Sequence, residues 1–217
     1  MTHPTSPEPL RLLLLGATGA VGSRVLNAAL TDERFTAIVA PTRRPLLPHT
    51  KLTNPVVDFH DLSESADVWK VDAVICALGT TMRAAGSQEA FTSVDRDLPI
   101  HIAQLAHKAG ATRLALNSSL GASARGNFYL RTKAEAEAGL RALGFDSYTI
   151  VRPALIDTER AETRLGETIG IFIAHAFEPI IPKRYRAVTP ERIAKALLDG
   201  VCREAGERIV ESDALQD

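Results

Sequence analysis

The sequence predicts an α/β domain built on a doubly wound parallel sheet, and three observations carry that expectation. The apolar run Leu12, Leu13, Leu14, Leu15 ends in three glycines spaced three apart, Gly16, Gly19 and Gly22, and a helical pattern follows over 23–30. Short apolar, β-branched runs then alternate with amphipathic stretches along the chain, as in a sheet covered by helices on both faces. Finally, 217 residues suit one domain with at most a small appendage.

In chain order, strands are expected at 11–15, 36–40, 55–58, 73–78, 113–117 and 148–152, with a final short one at 208–211. Helices fit 20–30, 88–109, 129–143 and 191–203. Pro99 lies inside the second of these, where proline breaks or kinks a helix. Thr189 followed by Pro190 reads as a helix start, a cap residue with proline at the first helical position. Residues 1–9, with prolines at 4, 7 and 9, are expected to form a disordered leader. The less regular stretch 154–190 is expected to form a small C-terminal lobe on the substrate side. No internal repeat or low-complexity tract interrupts the rest.

Composition narrows the function classes. The net charge of −1 gives no electrostatic footprint for nucleic acid or a membrane surface. Apolar runs fall short of the ~20 residues needed to span a bilayer, and the N-terminus lacks the regions of a signal peptide. Two cysteines, Cys76 and Cys202, without paired spacing point to a reducing, cytoplasmic setting.

The glycine segment carries the first functional reading. Gly16, Ala17, Thr18, Gly19, Ala20, Val21 and Gly22 stand between a strand and a helix. Glycines let the backbone turn sharply and approach a pyrophosphate, and free N–H groups at the helix start favour an anion. Such a turn can also bind nothing, but its place after the first strand favours a nucleotide. After the second strand the chain reads Pro41, Thr42, Arg43, Arg44, with no acid to hold a ribose 2′-hydroxyl. Arginines there suit a 2′-phosphate, which favours NADP(H) over NAD(H); the alternative is two solvated loop arginines. The fourth strand runs into Leu78 and Gly79 at its carboxyl end, where a ligand lies in a doubly wound sheet, or else these two serve as core and turn.

Tyr129 and Lys133, four apart, project from one helix face. A phenol is a poor proton donor or acceptor at neutral pH, and a neighbouring ammonium favours its ionised form. On its own this spacing also describes a packed aromatic beside a solvated lysine. Ser118 and Ser119 follow the fifth strand, where a hydroxyl can hold a substrate oxygen. Other groups are less informative. His101 and His107 fall on different helix faces, and His60 and His175 lack partners, so no metal site is expected. The alternating charges of 133–141 read as a solvated face. Asp95 either points into the cofactor cleft or caps a turn.

In their order, the glycine loop, Ser118/Ser119, Tyr129 and Lys133 resemble the short-chain dehydrogenase/reductase superfamily, in its atypical NAD(P)-binding branch. The likeness is strongest to the Tat-interacting-protein-like oxidoreductases and their bacterial relatives. It spans 10–215 and rests on the stretches 16–22, 76–81, 94–98, 117–122, 129–135 and 151–153, of which the run from Cys76 to Leu98 is the most specific.

The resemblance implies a Rossmann domain that binds NADPH, with the glycine loop at the pyrophosphate and Arg43 and Arg44 at the 2′-phosphate. It puts Leu78 and Gly79 along the cofactor, Tyr129 as proton donor and Lys133 on the nicotinamide ribose. Pro153 would begin the loop over the nicotinamide, and Ser119, with Ser118 second, would orient a substrate oxygen. The three-residue glycine spacing suits the atypical branch, whereas the interval from Ser119 to Tyr129 is shorter than the superfamily's usual one. The expected activity is NADPH-dependent reduction of a carbonyl on a small molecule. A cofactor-binding regulator or scaffold without turnover is the rival reading. A sugar-nucleotide epimerase is disfavoured by the short C-terminal lobe, and a homodimer is a superfamily-level expectation.

Overall fold

The computed structural model describes residues 8–63, 67–157 and 182–216. In its first half the elements are β1 (Leu10–Leu15), α1 (Ala20–Thr31), β2 (Phe35–Val39), β3 (Leu52–Thr53), β4 (Ala73–Cys76), α2 (Met82–Ala85) and α3 (Gln88–Thr92). A π-helical turn (Ser93–Asp97) leads into α4 (Leu98–Lys108), followed by β5 (Arg113–Asn117), α5 (Phe128–Arg141) and β6 (Ser147–Arg152). The last are α6 (Pro190–Val201) and β7 (Gly206–Glu211). The strands form one parallel seven-stranded sheet in the order β3-β2-β1-β4-β5-β6-β7. This is the doubly wound architecture the sequence predicts.

β1 shows why its run is continuously apolar. Leu10, Leu12 and Leu14 pack on one face against Val25, Leu26 and Ala29 of α1 and Ile193, Leu197 and Val201 of α6. Leu13 and Leu15 pack on the other, with Ile102 and Leu105 of α4 and Leu140 of α5. A strand buried on both faces has no polar position to alternate with. Parallel strands also bring all their carboxyl ends to one edge, where ligands of such sheets collect.

The structure corrects several boundaries. β4 ends at Cys76 rather than at 78, and α2 was not anticipated. The strand expected at 55–58 is replaced by the two-residue β3, plus a single bridge between Thr42 and Val56. Proline has no N–H to give a ladder, and Pro55 stands where one is needed. The helix expected over 88–109 is three segments, since Pro99 cannot donate the bond that would continue an α-helix across it. Pro99 sits in the first turn of α4 and the wider π turn precedes it. Asn127 caps α5 by accepting the Leu130 N–H at 3.0 Å. Thr189 is the N-cap of α6, but its side chain makes no capping bond. The leader, apart from residues 8 and 9, and 158–181 of the expected lobe, with His175, lie outside the described residues.

The charges of α5 depart most from the reading of a solvated face. Glu137 is buried and accepts the Ser118 hydroxyl at 2.5 Å and the Arg152 guanidinium at 2.9 and 2.5 Å. Arg152 also pairs with Glu211 at 3.0 Å. One carboxylate thus ties α5 to the ends of β5 and β6, and through Arg152 to β7. Glu137→Ala leaves the Arg152 cation half-enclosed without its main partner and should cost about 3–5 kcal/mol. Urea unfolding that shows less than 1 kcal/mol, roughly the worth of an exposed pair, would remove that role.

Cys76 gives the fold an alkaline limit. Burial pushes its thiol from an ordinary 9.0 up to about 11. The unfolded chain therefore loses this proton first, so the contribution is intact below pH 9.0 and is lost as pH rises toward about 11. Tyr148, also pushed up by burial, acts with the same sign at higher pH. Stability should fall by up to about 1.4 kcal/mol per pH unit between roughly 9 and 11, and Cys76→Ala should flatten that slope.

Candidate cofactor and active site

The glycine loop is a close backbone crossing. Gly16 has φ +85°, in the left-handed region, and a Cβ built on it would lie 2.6 Å from the Ala77 carbonyl oxygen beyond β4. A Cβ on Gly22 would run into the Gly16 carbonyl oxygen. The loop therefore folds against both the start of α1 and the end of β4, with space for hydrogen only. Gly19 caps α1 without a side-chain bond, and the first helical bond runs from Ser23 N–H to the Gly19 carbonyl at 2.9 Å. The N–H groups of Ala20, Val21 and Gly22 precede that bond and have no helical acceptor. Thr18 and Gly19 are exposed at this mouth, while Ala17 and Val21 are buried beneath it. A tight backbone cradle with open donors at a helix start fits a pyrophosphate.

Arg43 and Arg44 are exposed on the turn after β2. Among the described residues neither guanidinium has a hydrogen-bonding or ionic partner. Two unpaired arginines at the end of the second strand fit a ribose 2′-phosphate.

The reaction end is organised around Asp95. Its carboxylate is fully buried in the π turn, with Oδ1 2.6 Å from Lys133 Nζ and Oδ2 accepting the Thr80 N–H at 2.9 Å. Asp95 thus joins α5, the π turn and the segment after β4. Gly79 lies over this pair: a Cβ there would sit 3.7 Å from Asp95 Oδ1 and 3.9 Å from Lys133 Nζ. Leu78 is half-buried and packs on the α4–α5 core. Tyr129 is half-buried, tilted against Phe91 of α3 with ring centroids 5.6 Å apart. Lys133 Nζ stands 5.9 Å from the Tyr129 ring centre, so the two share one face of α5.

The two serines part company. Ser118 is buried with its hydroxyl committed to Glu137, whereas Ser119 is half-buried and reaches only the Leu120 carbonyl, at 3.5 Å. Ser119 is therefore the hydroxyl free to meet another molecule. Pro153 is buried, its carbonyl accepting the Leu120 N–H at 2.8 Å, which ties the segment after β6 to the serine loop.

Sequence reasoning left Asp95 open between the cofactor cleft and a turn cap, and it missed the parts played by Glu137 and Arg152. A charged residue just ahead of a helix-breaking proline was the available signal for Asp95. His107 packs on Phe145 and bonds to the Ala111 carbonyl at 2.9 Å. Among the described residues no group of three or more His, Cys, Asp or Glu side chains is arranged to hold a metal. Among them, too, no helix is long and apolar enough to cross a membrane.

These features define an NAD(P)-binding Rossmann domain. A family model described as NAD(P)H-binding matches residues 16–210, and the chain belongs to that family. It is 38% identical over 172 residues to the mitochondrial protein fmp52 of Emericella nidulans, covering 75% of this chain and 74% of that one. It is 33% identical over 199 residues to the rat protein HTATIP2, covering 88% and 80%. Among solved structures it matches MoeE5 in complex with UDP-glucuronic acid and NAD, with TM-score 0.71 and 19% identity over 93% of this chain and 76% of that one. A short chain dehydrogenase family protein of Francisella tularensis matches with TM-score 0.69 and 13% identity, over 96% and 100%. At such identities the structural matches speak for the fold.

The cytoplasmic expectation is corrected by these relatives. The fmp52 proteins of Emericella nidulans and Candida albicans are named mitochondrial. Two unpaired cysteines report redox conditions and do not assign a compartment.

Gly22→Ala should disrupt the cradle. We expect NAD(P)H binding to weaken by at least about 100-fold in a fluorescence titration, a loss of about 2.7 kcal/mol. Binding within twofold of the parent would mean that the loop does not hold the pyrophosphate.

Proposed function

We propose that the protein is an NADPH-dependent reductase acting on a carbonyl of a small molecule. One observation carries the reading: Tyr129 and Lys133 share a face of α5, with Lys133 held at the open backbone of Gly79 by the buried Asp95. When bound, the reduced nicotinamide supplies the hydride. The half-buried Tyr129 hydroxyl is the chain's proton donor to the substrate oxygen, and the Ser119 hydroxyl orients that oxygen by hydrogen bonding. Lys133 serves the phenol by placing positive charge beside it and holds the nicotinamide ribose. Asp95 fixes Lys133, so the ammonium arrives at the site already oriented. The glycine loop positions the dinucleotide, and Arg43 and Arg44 select the form bearing a 2′-phosphate.

Tyr129→Phe keeps the aromatic packing on Phe91 and removes only the hydroxyl. Turnover against a panel of aldehydes and ketones should fall by at least about 100-fold, with NADPH affinity within twofold of the parent. Normal turnover in this variant would defeat the assignment of Tyr129. Tight NADPH binding by the parent protein with no oxidation across the panel would instead favour a cofactor-binding regulator or scaffold.

A further inference from the structure

The turn bearing Arg43 and Arg44 is braced by two side chains, the Asn54 carboxamide and the Thr42 hydroxyl. β2 and β3 pair in parallel, Ile38 with Leu52 and Val39 with Thr53. Rungs recur at every second residue: Ile38 N–H donates to the Lys51 carbonyl at 2.8 Å, Ala40 to Thr53 at 2.9 Å and Thr42 to Pro55 at 3.1 Å. One return bond runs from Val57 N–H to the Thr42 carbonyl at 3.0 Å. The corresponding return bond to the Ala40 carbonyl would have to come from residue 55, and proline has no N–H.

Asn54 fills that gap. Its Nδ2 donates to the Ala40 carbonyl at 2.6 Å and to Thr42 Oγ1 at 2.8 Å, while Oδ1 accepts the Leu46 N–H at 2.7 Å. The Thr42 hydroxyl in turn donates to the Arg44 carbonyl at 2.6 Å. Backbone partners of fixed polarity on both sides determine which way the carboxamide faces. Every residue Asn54 holds, directly or through Thr42, belongs to the segment 40–46, and the two arginine side chains are left to extend from it.

We propose that Asn54 is a positioning residue for cofactor choice, holding the turn so that Arg43 and Arg44 meet a 2′-phosphate without having to be ordered first. The inference rests on the NADPH reading above. A preformed turn lowers the ordering cost of binding only for the ligand that uses it. Asn54 therefore acts on the phosphorylated dinucleotide and leaves the other alone.

The test is a pair of dissociation constants, for NADPH and NADH, measured by fluorescence titration on the parent, Asn54→Ala and the Arg43→Ala/Arg44→Ala double variant. We expect Asn54→Ala to weaken NADPH by about tenfold, or about 1.4 kcal/mol, with NADH within about twofold. If Asn54→Ala does not fold, Thr42→Val serves the same comparison, since it keeps the side-chain shape and charge but cuts the link from Asn54 to the Arg44 carbonyl. Equal weakening of both dinucleotides, or no change in either, would overturn the inference. A double variant that loses its NADPH preference while Asn54→Ala keeps it would overturn the inference alone. A parent protein without any preference for NADPH would overturn the cofactor reading and this inference with it.

Discussion

The ion pair between Asp95 and Lys133 is the contact on which the rest of the site depends. A carboxylate and an ammonium with almost no solvent access are costly to bury, and they persist only when each is well met. Asp95 is met twice, by Lys133 and by the Thr80 N–H, so the charge cannot relax without releasing two elements. The pair fixes where α5 lies relative to β4, and with it the orientation of Tyr129. The π turn serves the pair: the wider backbone ahead of Pro99 places residue 95 inward among otherwise helical neighbours. π segments of this kind are frequent at functional sites, where one extra residue redirects a side chain.

A second buried charge lies one turn further along the same helix. Glu137 faces Ser118, Arg152 and, through its own carbonyl, the Tyr148 hydroxyl at 3.3 Å. Lys133 and Glu137 therefore divide the inner face of α5, one toward the cofactor side and one toward the ends of β5, β6 and β7. This explains why adjacent serines have different surroundings. Ser118 belongs to the internal network that fixes the β5 end, and Ser119, the next residue, is turned out of it.

What was legible in the sequence is what local pattern determines. The run of leucines in β1, the glycine crossing and the amphipathic α6 each carry their own signal, because burial on two faces or one stripe dictates composition there. Other features depended on distant partners. Asp95 and Lys133 are 38 positions apart, and Glu137 is 15 from Arg152, so alternating charges on α5 look like a water-facing stripe until the fold brings their partners in. The 55–58 strand was misplaced because its apolar residues suit a strand, while Pro55 denies it one ladder bond. The three-part helix was misread because helical periodicity barely changes across a single π turn.

The shortness of β3 has a consequence at the margin of the sheet. A parallel sheet ends in two strands whose outer N–H and carbonyl groups lack a neighbour, and such edges recruit strands from other molecules. Here one edge is only two residues long, and beyond it the available groups are taken by the Asn54 carboxamide and the Thr42 hydroxyl. The opposite edge, β7, carries exposed Glu207 and Arg208, with Glu207 pinned by Arg141 at 2.7 Å. Brevity on one side and charge on the other both disfavour strand addition, so the arrangement that shapes the arginine turn also shortens the template at that margin of the sheet.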